Sequence, residues 1–186
     1  MNREDRSSSL EPPARTSAVV TAALDPRQKR TPRYLVVMRV TDHNEPVGWG
    51  KADRRQPVEQ FAVVVGAGSF RSDDGGAIRF PHRWTPEGVT VEADFTGAHL
   101  LHLATAGCVL NDIYREAGEL DIRIHGVRVS ADGGFDTRTW ISSGITYRIE
   151  LSSPASVEEL AVLLDRVDDV AEIPRAMRAG TTVRRS

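Results

Sequence analysis

Hydrophobic and polar positions divide the chain into two textures. From residue 1 to about 32, Ser, Pro, Arg, Asp and Glu dominate and large apolar groups are scarce. Such a stretch has little to offset the entropy of ordering, which predicts a disordered tail. Arg33 to Thr41 (RYLVVMRVT) suits a short strand, but His43 to Pro57 returns to turn-formers and charge. Residues 1–58 are therefore expected to form a poorly ordered extension, with Met38 the only internal methionine ahead of the compact part. A compact domain is expected over 59–186.

Within that domain the periods become regular. Gln60 to Val65 (QFAVVV) is a β-branched run, SDDGG at Ser72 to Gly76 marks a turn, and Ala77 to Phe80 is extended again, which predicts a hairpin. Gly88 to Asp94 alternates as a third strand. Thr96 is a good N-cap, and FTGAHLLHLATAGCVLNDIYRE from Phe95 to Glu116 predicts a long helix ending near Gly118. Its first half is apolar nearly all round, so burial on several sides is expected, by the core or by a partner chain. Two alternating strands follow, Asp121 to Ser130 and Ile145 to Leu151, read as an antiparallel pair joined through the turn-rich DGGFD. Ser156 and Glu159 form a capping box opening a helix whose apolar face is Leu160, Leu163, Leu164 and Val167. Pro174 breaks it and starts a short helix that ends at Gly180, and Thr181 to Arg185 returns as an edge strand. The fold class is α+β.

Composition narrows the chemistry. The formal charge of −2 and pI near 6.2 give no basic field for nucleic acid or an anionic membrane surface, so neither partner is expected. The single cysteine excludes an intrachain disulfide; no signal-peptide core and no run of about 20 apolar residues is present, and the cytoplasm is the expected compartment. Phosphate loops, nucleophile elbows and dinucleotide fingerprints are missing, and no cofactor is expected.

That cysteine, Cys108, ends GAHLLHLATAGC, and the chain closes on AEIPRAMRAGTTV from Ala171. These two segments, with the strands between them, resemble the OsmC and Ohr family of thiol peroxidases over roughly residues 59–186. The resemblance implies an OsmC-like fold, with antiparallel strands wrapped around a central buried helix, in an intertwined homodimer with an active site at each end of the interface. It also implies reduction of an organic hydroperoxide by Cys108. Two parts of the family pattern are missing: Ile173 stands where a resolving cysteine precedes the proline, and Ala98, beside His99, stands where a glutamate positions an arginine. A one-cysteine cycle resolved by an external thiol reductant is then expected. The alternative is a non-catalytic homodimer that binds an apolar small molecule or acts as a redox sensor.

The family's arginine has two candidates here, Arg83 in PHRW and Arg71 in SFRSDDGG. A cation matters because only the thiolate attacks peroxide, and a fixed positive charge lowers a thiol's pKa. On the helix, Thr105 and Asn111 are within reach of the sulfur as hydrogen-bonding neighbours, and an ionised Asp112 would oppose the thiolate. His99 and His102 share a helical face and are candidates to replace the absent glutamate. With Asp94 or Cys108 they would also make a metal set, but the spacing fixes no third ligand and no metal is expected. Trp84 and Phe80 are placed to line an apolar pocket, or simply to pack in the core.

Overall fold

The computed structural model describes residues 60–180, together with the strand backbones of 19–23, 33–37 and 58–59. Among the described residues, one antiparallel sheet and three helices make up the fold. The strands are β1 (Val19–Ala23), β2 (Arg33–Val37), β3 (Val58–Gln60), β4 (Val63–Gly68), β5 (Ile78–Phe80), β6 (Val89–Glu92), β7 (Gly126–Asp136) and β8 (Ser142–Ser152). The helices are α1 (Gly97–Glu119), α2 (Val157–Val170) and α3 (Glu172–Ala179). Sheet order is β1-β2-β8-β7-β4-β6-β5, with β3 pairing the far end of β7. Apart from the backbones of β1, β2 and β3, the expected extension over 1–58 lies outside the described residues, as does the expected edge strand at Thr181 to Arg185.

Burial explains the strand order. β4 is buried along most of its length, so it needs a neighbour on each side and takes β6 and β7. All three residues of β5 are exposed, which suits only an edge. The expected hairpin between Gln60–Val65 and Ala77–Phe80 therefore does not form: β6 inserts between them, and β5 pairs with β6 through Ile78 opposite Val91. The pair β7 and β8 is antiparallel as expected, but DGGFD belongs to β7 instead of joining the two strands. The turn comes later, where Asp136 Oδ1 accepts from the backbone N–H groups of Arg138 and Thr139.

Within β7, Gly133 is required by close approach. A Cβ there would lie 2.2 Å from the Gly144 carbonyl oxygen and 2.6 Å from His102 Nε2. Backbone cannot retreat from such a clash cheaply, so Gly133→Ala should lower stability by about 1–3 kcal/mol. Urea unfolding checks this; an unchanged midpoint would show that the strand can shift away.

Helix α1 begins as its sequence indicates, with Thr96 Oγ1 accepting from the His99 N–H. Its end differs. The helix runs through Gly118, and the left-handed residue is Asp121, at φ 54°. The Ile122 N–H then donates to the Ala117 carbonyl at 2.8 Å, closing the last turn. Aspartate tolerates this conformation better than most side chains, which is why a glycine is not needed. Buried Ala106, Val109, Leu110, Ile113 and Ala117 press α1 onto the sheet.

The capping box of α2 is present, with Glu159 Oε2 accepting from the Ser156 N–H at 2.8 Å and Ser156 Oγ accepting from the Glu159 N–H at 3.2 Å. Leu160, Leu163, Leu164 and Val167 are buried as its pattern indicates. Tyr147 of β8 donates to Asp168 of α2, tying sheet to helix. Pro174 is the third residue of α3 and not its first, still within the first turn, where no backbone N–H is missed. Gly180 ends α3 at φ 71°.

Candidate functional site around Cys108

Cys108 lies midway along α1 and is buried, at 9% exposure. Successive residues on a helix turn by 100°, so Gly97, Leu100, Ala104, Gly107 and Asn111 form one stripe and Cys108 sits at its edge. Leu100, Ala104 and Asn111 on that stripe are exposed. The expected burial of the first half of α1 on several sides is thus only partly met within one chain. The sulfur lies at the border between core and open face.

Its neighbours are acidic. The thiol donates to Asp112 Oδ2 at 3.5 Å, one turn on. Glu172, the first residue of α3, brings a carboxylate oxygen to within 4.8 Å of both the sulfur and the Asp112 carboxylate. Burial is the main reason the thiol's pKa is pushed up to about 12, and Asp112 and Glu172 add to it; a hydrogen bond from the Ile173 backbone works against them. Asp112 is itself shifted upward, chiefly by burial, although Arg115 opposes this. Arg115 reaches only the far oxygen, Asp112 Oδ1, at 2.8 Å.

The two candidate arginines sit elsewhere. Arg83 is exposed, with its guanidinium carbon 5.8 Å from the centre of the Trp84 ring. Arg71 donates to the Glu87 carbonyl at 3.2 Å, and its Nε is buried without a hydrogen-bond partner among the described residues. Neither figures among the charges that shift the sulfur. His99 is held at the N-terminus of α1, Nδ1 2.8 Å from Thr96 Oγ1, with its ring edge-on to Phe61. His102 is fully buried; its Nδ1 is 2.7 Å from the Ala98 carbonyl, which accepts and so fixes the proton on Nδ1. Its Nε2 is left without a hydrogen-bond partner among the described residues, facing Gly133. Thr105 turns its hydroxyl to Met177 Sδ at 3.2 Å and to the backbone, which pins α3 to α1.

Beside Gly107 a cleft of about 340 Å³ opens, with Val65, Val91, Leu103 and Leu110 among its apolar walls and Arg83 and Trp84 among the residues that line it. His82 contributes a hydrogen-bonded ring. Thr85 gives its hydroxyl proton to the Gly88 carbonyl, so it accepts from His82 Nδ1 at 2.8 Å, while Nε2 meets the Asn111 side chain at 3.2 Å. Asn111, expected as a neighbour of the sulfur, is thus engaged with His82 and the cleft. Phe80 and Trp84 line this cleft as well, and both are exposed.

With this geometry in hand, comparison with family models finds a match to OsmC-like protein over residues 90–185. The chain belongs to the OsmC-like family. Curated proteins and solved structures yield no match. The OsmC-like match begins inside β6 and takes in α1, β7, β8, α2 and α3, hence Cys108 and both carboxylates beside it. OsmC-like proteins include peroxide-reducing members. Among the described residues, no helix is long and apolar enough to cross a membrane.

Glu172 is not among the residues that the sequence marks. The one signal for it is its place directly before Ile173-Pro174, in the segment that α3 carries to the sulfur.

Proposed function

We propose that the chain reduces organic hydroperoxides with Cys108 as its only redox sulfur, in a homodimer whose second copy completes the site. The observation that carries the reading is the position of Cys108: in the family-matched helix, at one edge of an exposed stripe whose Gly107 and Asn111 line a cleft with apolar walls. The sulfur attacks the outer peroxide oxygen, the O–O bond breaks, an S–O bond forms, and the alcohol leaves with a proton. Cys108 ends as a sulfenic acid, oxidised by two electrons. An external thiol then attacks that sulfur and expels water, and a second thiol equivalent releases Cys108 from the mixed disulfide.

The chemistry needs a thiolate, and the described residues of one chain provide carboxylates where a cation is required. Leu100 and Ala104 leave the open stripe ready for a second copy, which would bring its own charges to the border where the sulfur lies. Stoichiometric cumene hydroperoxide should consume the wild-type thiol rapidly, while Cys108→Ser leaves the peroxide intact; equal peroxide loss in the two proteins would end this reading.

A second reading is favoured by the acidic surroundings of the sulfur: a non-catalytic member of the family that holds an apolar small molecule in the cleft. An apparent thiol pKa well under about 8.5 in the assembled protein supports the peroxidase, and slow alkylation throughout supports the binder.

A further inference from the structure

We propose that Cys108 Sγ, Asp112 Oδ2 and a Glu172 carboxylate oxygen form a binding site for a borderline divalent cation of the zinc type. The donors come from two elements, α1 and α3, and the Cys108 sulfur, an Asp112 carboxylate oxygen and a Glu172 carboxylate oxygen all lie within 4.8 Å of one another. A tetrahedral ion with bonds of about 2.3 Å to sulfur and about 2.0–2.2 Å to oxygen sets its ligand atoms roughly 3.5 Å apart. The sulfur and Asp112 Oδ2 already stand at 3.5 Å, because residues four apart on a helix share a face. The Glu172 oxygen lies within 4.8 Å of both residues, and Glu172 is exposed on a flexible stem that can adjust to the ion.

The surroundings leave this side of the cluster to a cation. Arg115 is turned to Asp112 Oδ1 and to Glu116, so it orients Asp112 from behind without covering Oδ2. The Glu172 side chain has no hydrogen bond or ion pair among the described residues. Thr105 and Met177 hold α3 against α1 one turn earlier, which fixes where α3 begins. One thiolate with two carboxylates is a mixed soft and hard set, suited to Zn²⁺, Co²⁺ or Fe²⁺ and poorly suited to Mg²⁺ or Ca²⁺. Three protein ligands leave a fourth position for water, on the exposed side where Glu172 stands. This donor set is separate from the His99 and His102 pair, and binding there does not require Cys108 to react with peroxide.

Anaerobic titration of the reduced, full-length protein with Co²⁺ tests the site. One Co²⁺ per chain should bind with a near-ultraviolet sulfur-to-cobalt charge-transfer band, and Zn²⁺ should displace it. Cys108→Ser should abolish the band, and Glu172→Gln, at an exposed position that leaves the fold intact, should weaken binding about tenfold or more. No band, a band that survives Cys108→Ser, or unchanged affinity in Glu172→Gln would overturn the proposal. Because no peroxide is present, this result is independent of hydroperoxide turnover, which is assayed separately with chelator added.

Discussion

Replacing Asp112 by asparagine is expected to make the Cys108 thiol about tenfold or more reactive toward iodoacetamide at pH 7. Only the thiolate alkylates, and a thiol held at about 12 is ionised to roughly one part in 100,000 at that pH. Three influences raise it: burial first, then the charges of Asp112 and Glu172, then the hydrogen bond that gives the thiol proton to Asp112. Asparagine occupies nearly the same volume and removes both contributions of Asp112, and its amide N–H is free to donate to the sulfur. Each unit by which the thiol's pKa falls multiplies the thiolate fraction by ten. Burial persists in the variant, so its thiol should still titrate above a free cysteine. The check is the alkylation rate from pH 6 to 11 in both proteins, with circular dichroism to confirm that both are folded. A slower variant would show that Asp112 helps the thiolate, as a base drawing off the proton. The wild-type profile carries its own message: an apparent pKa well below 8.5 means that a cation not found there among the described residues has reached the sulfur, which is what peroxide reduction requires.

Local signals carried much of this architecture, and long-range ones did not. Ser156 and Glu159 are three residues apart, and their capping box is a contact within one turn, so it can be read directly from the chain. The start of α1 at Thr96 is equally local. Sheet order is another matter: which strand lies beside β4 depends on total burial, and neither QFAVVV nor AIRF states whether it stands at the centre or the edge. The DGGFD segment shows a related limit, since its Gly133 marks a close approach to Gly144 and His102 and not a change of chain direction. At the candidate site, Cys108 and its relation to Asp112 are legible because four residues on a helix bring them together. Glu172 is not, since only the packing of α3 on α1 carries it across the 64 positions that separate it from Cys108. The ion pair of Asp112 with Arg115 is by contrast local, since three residues on one helix bring the two together.

Removal of the Glu116 carboxylate should weaken the fold by about 2–4 kcal/mol, the largest loss expected from a single polar change here. Glu116 is 4% exposed and lies between two guanidiniums, Arg115 on its own helix at 2.8 Å and Arg166 from α2. It therefore links α1 to α2 through Arg166, while its partner on its own helix, Arg115, is the arginine that also pairs with Asp112. Both arginine side chains are partly exposed, at 40% and 44%, so water screens the pairs and the loss falls short of a fully buried triad. Glu116→Ala removes both pairs and leaves a small void, and urea unfolding at pH 7 measures the cost. The pH dependence follows from the same pairing. The hydrogen bond from Arg115 is the main reason the Glu116 carboxyl lies below its usual 4.5, despite burial, so the folded state favours the charged form. Its contribution is fully present above about pH 4.5, where the unfolded chain is ionised too, and is lost as pH falls through the lower folded value. Wild-type stability should thus fall more steeply than that of Glu116→Ala between pH 5 and 3. Parallel acid profiles would show that the two ion pairs contribute nothing to folding, and that α1 and α2 are joined by their apolar faces alone.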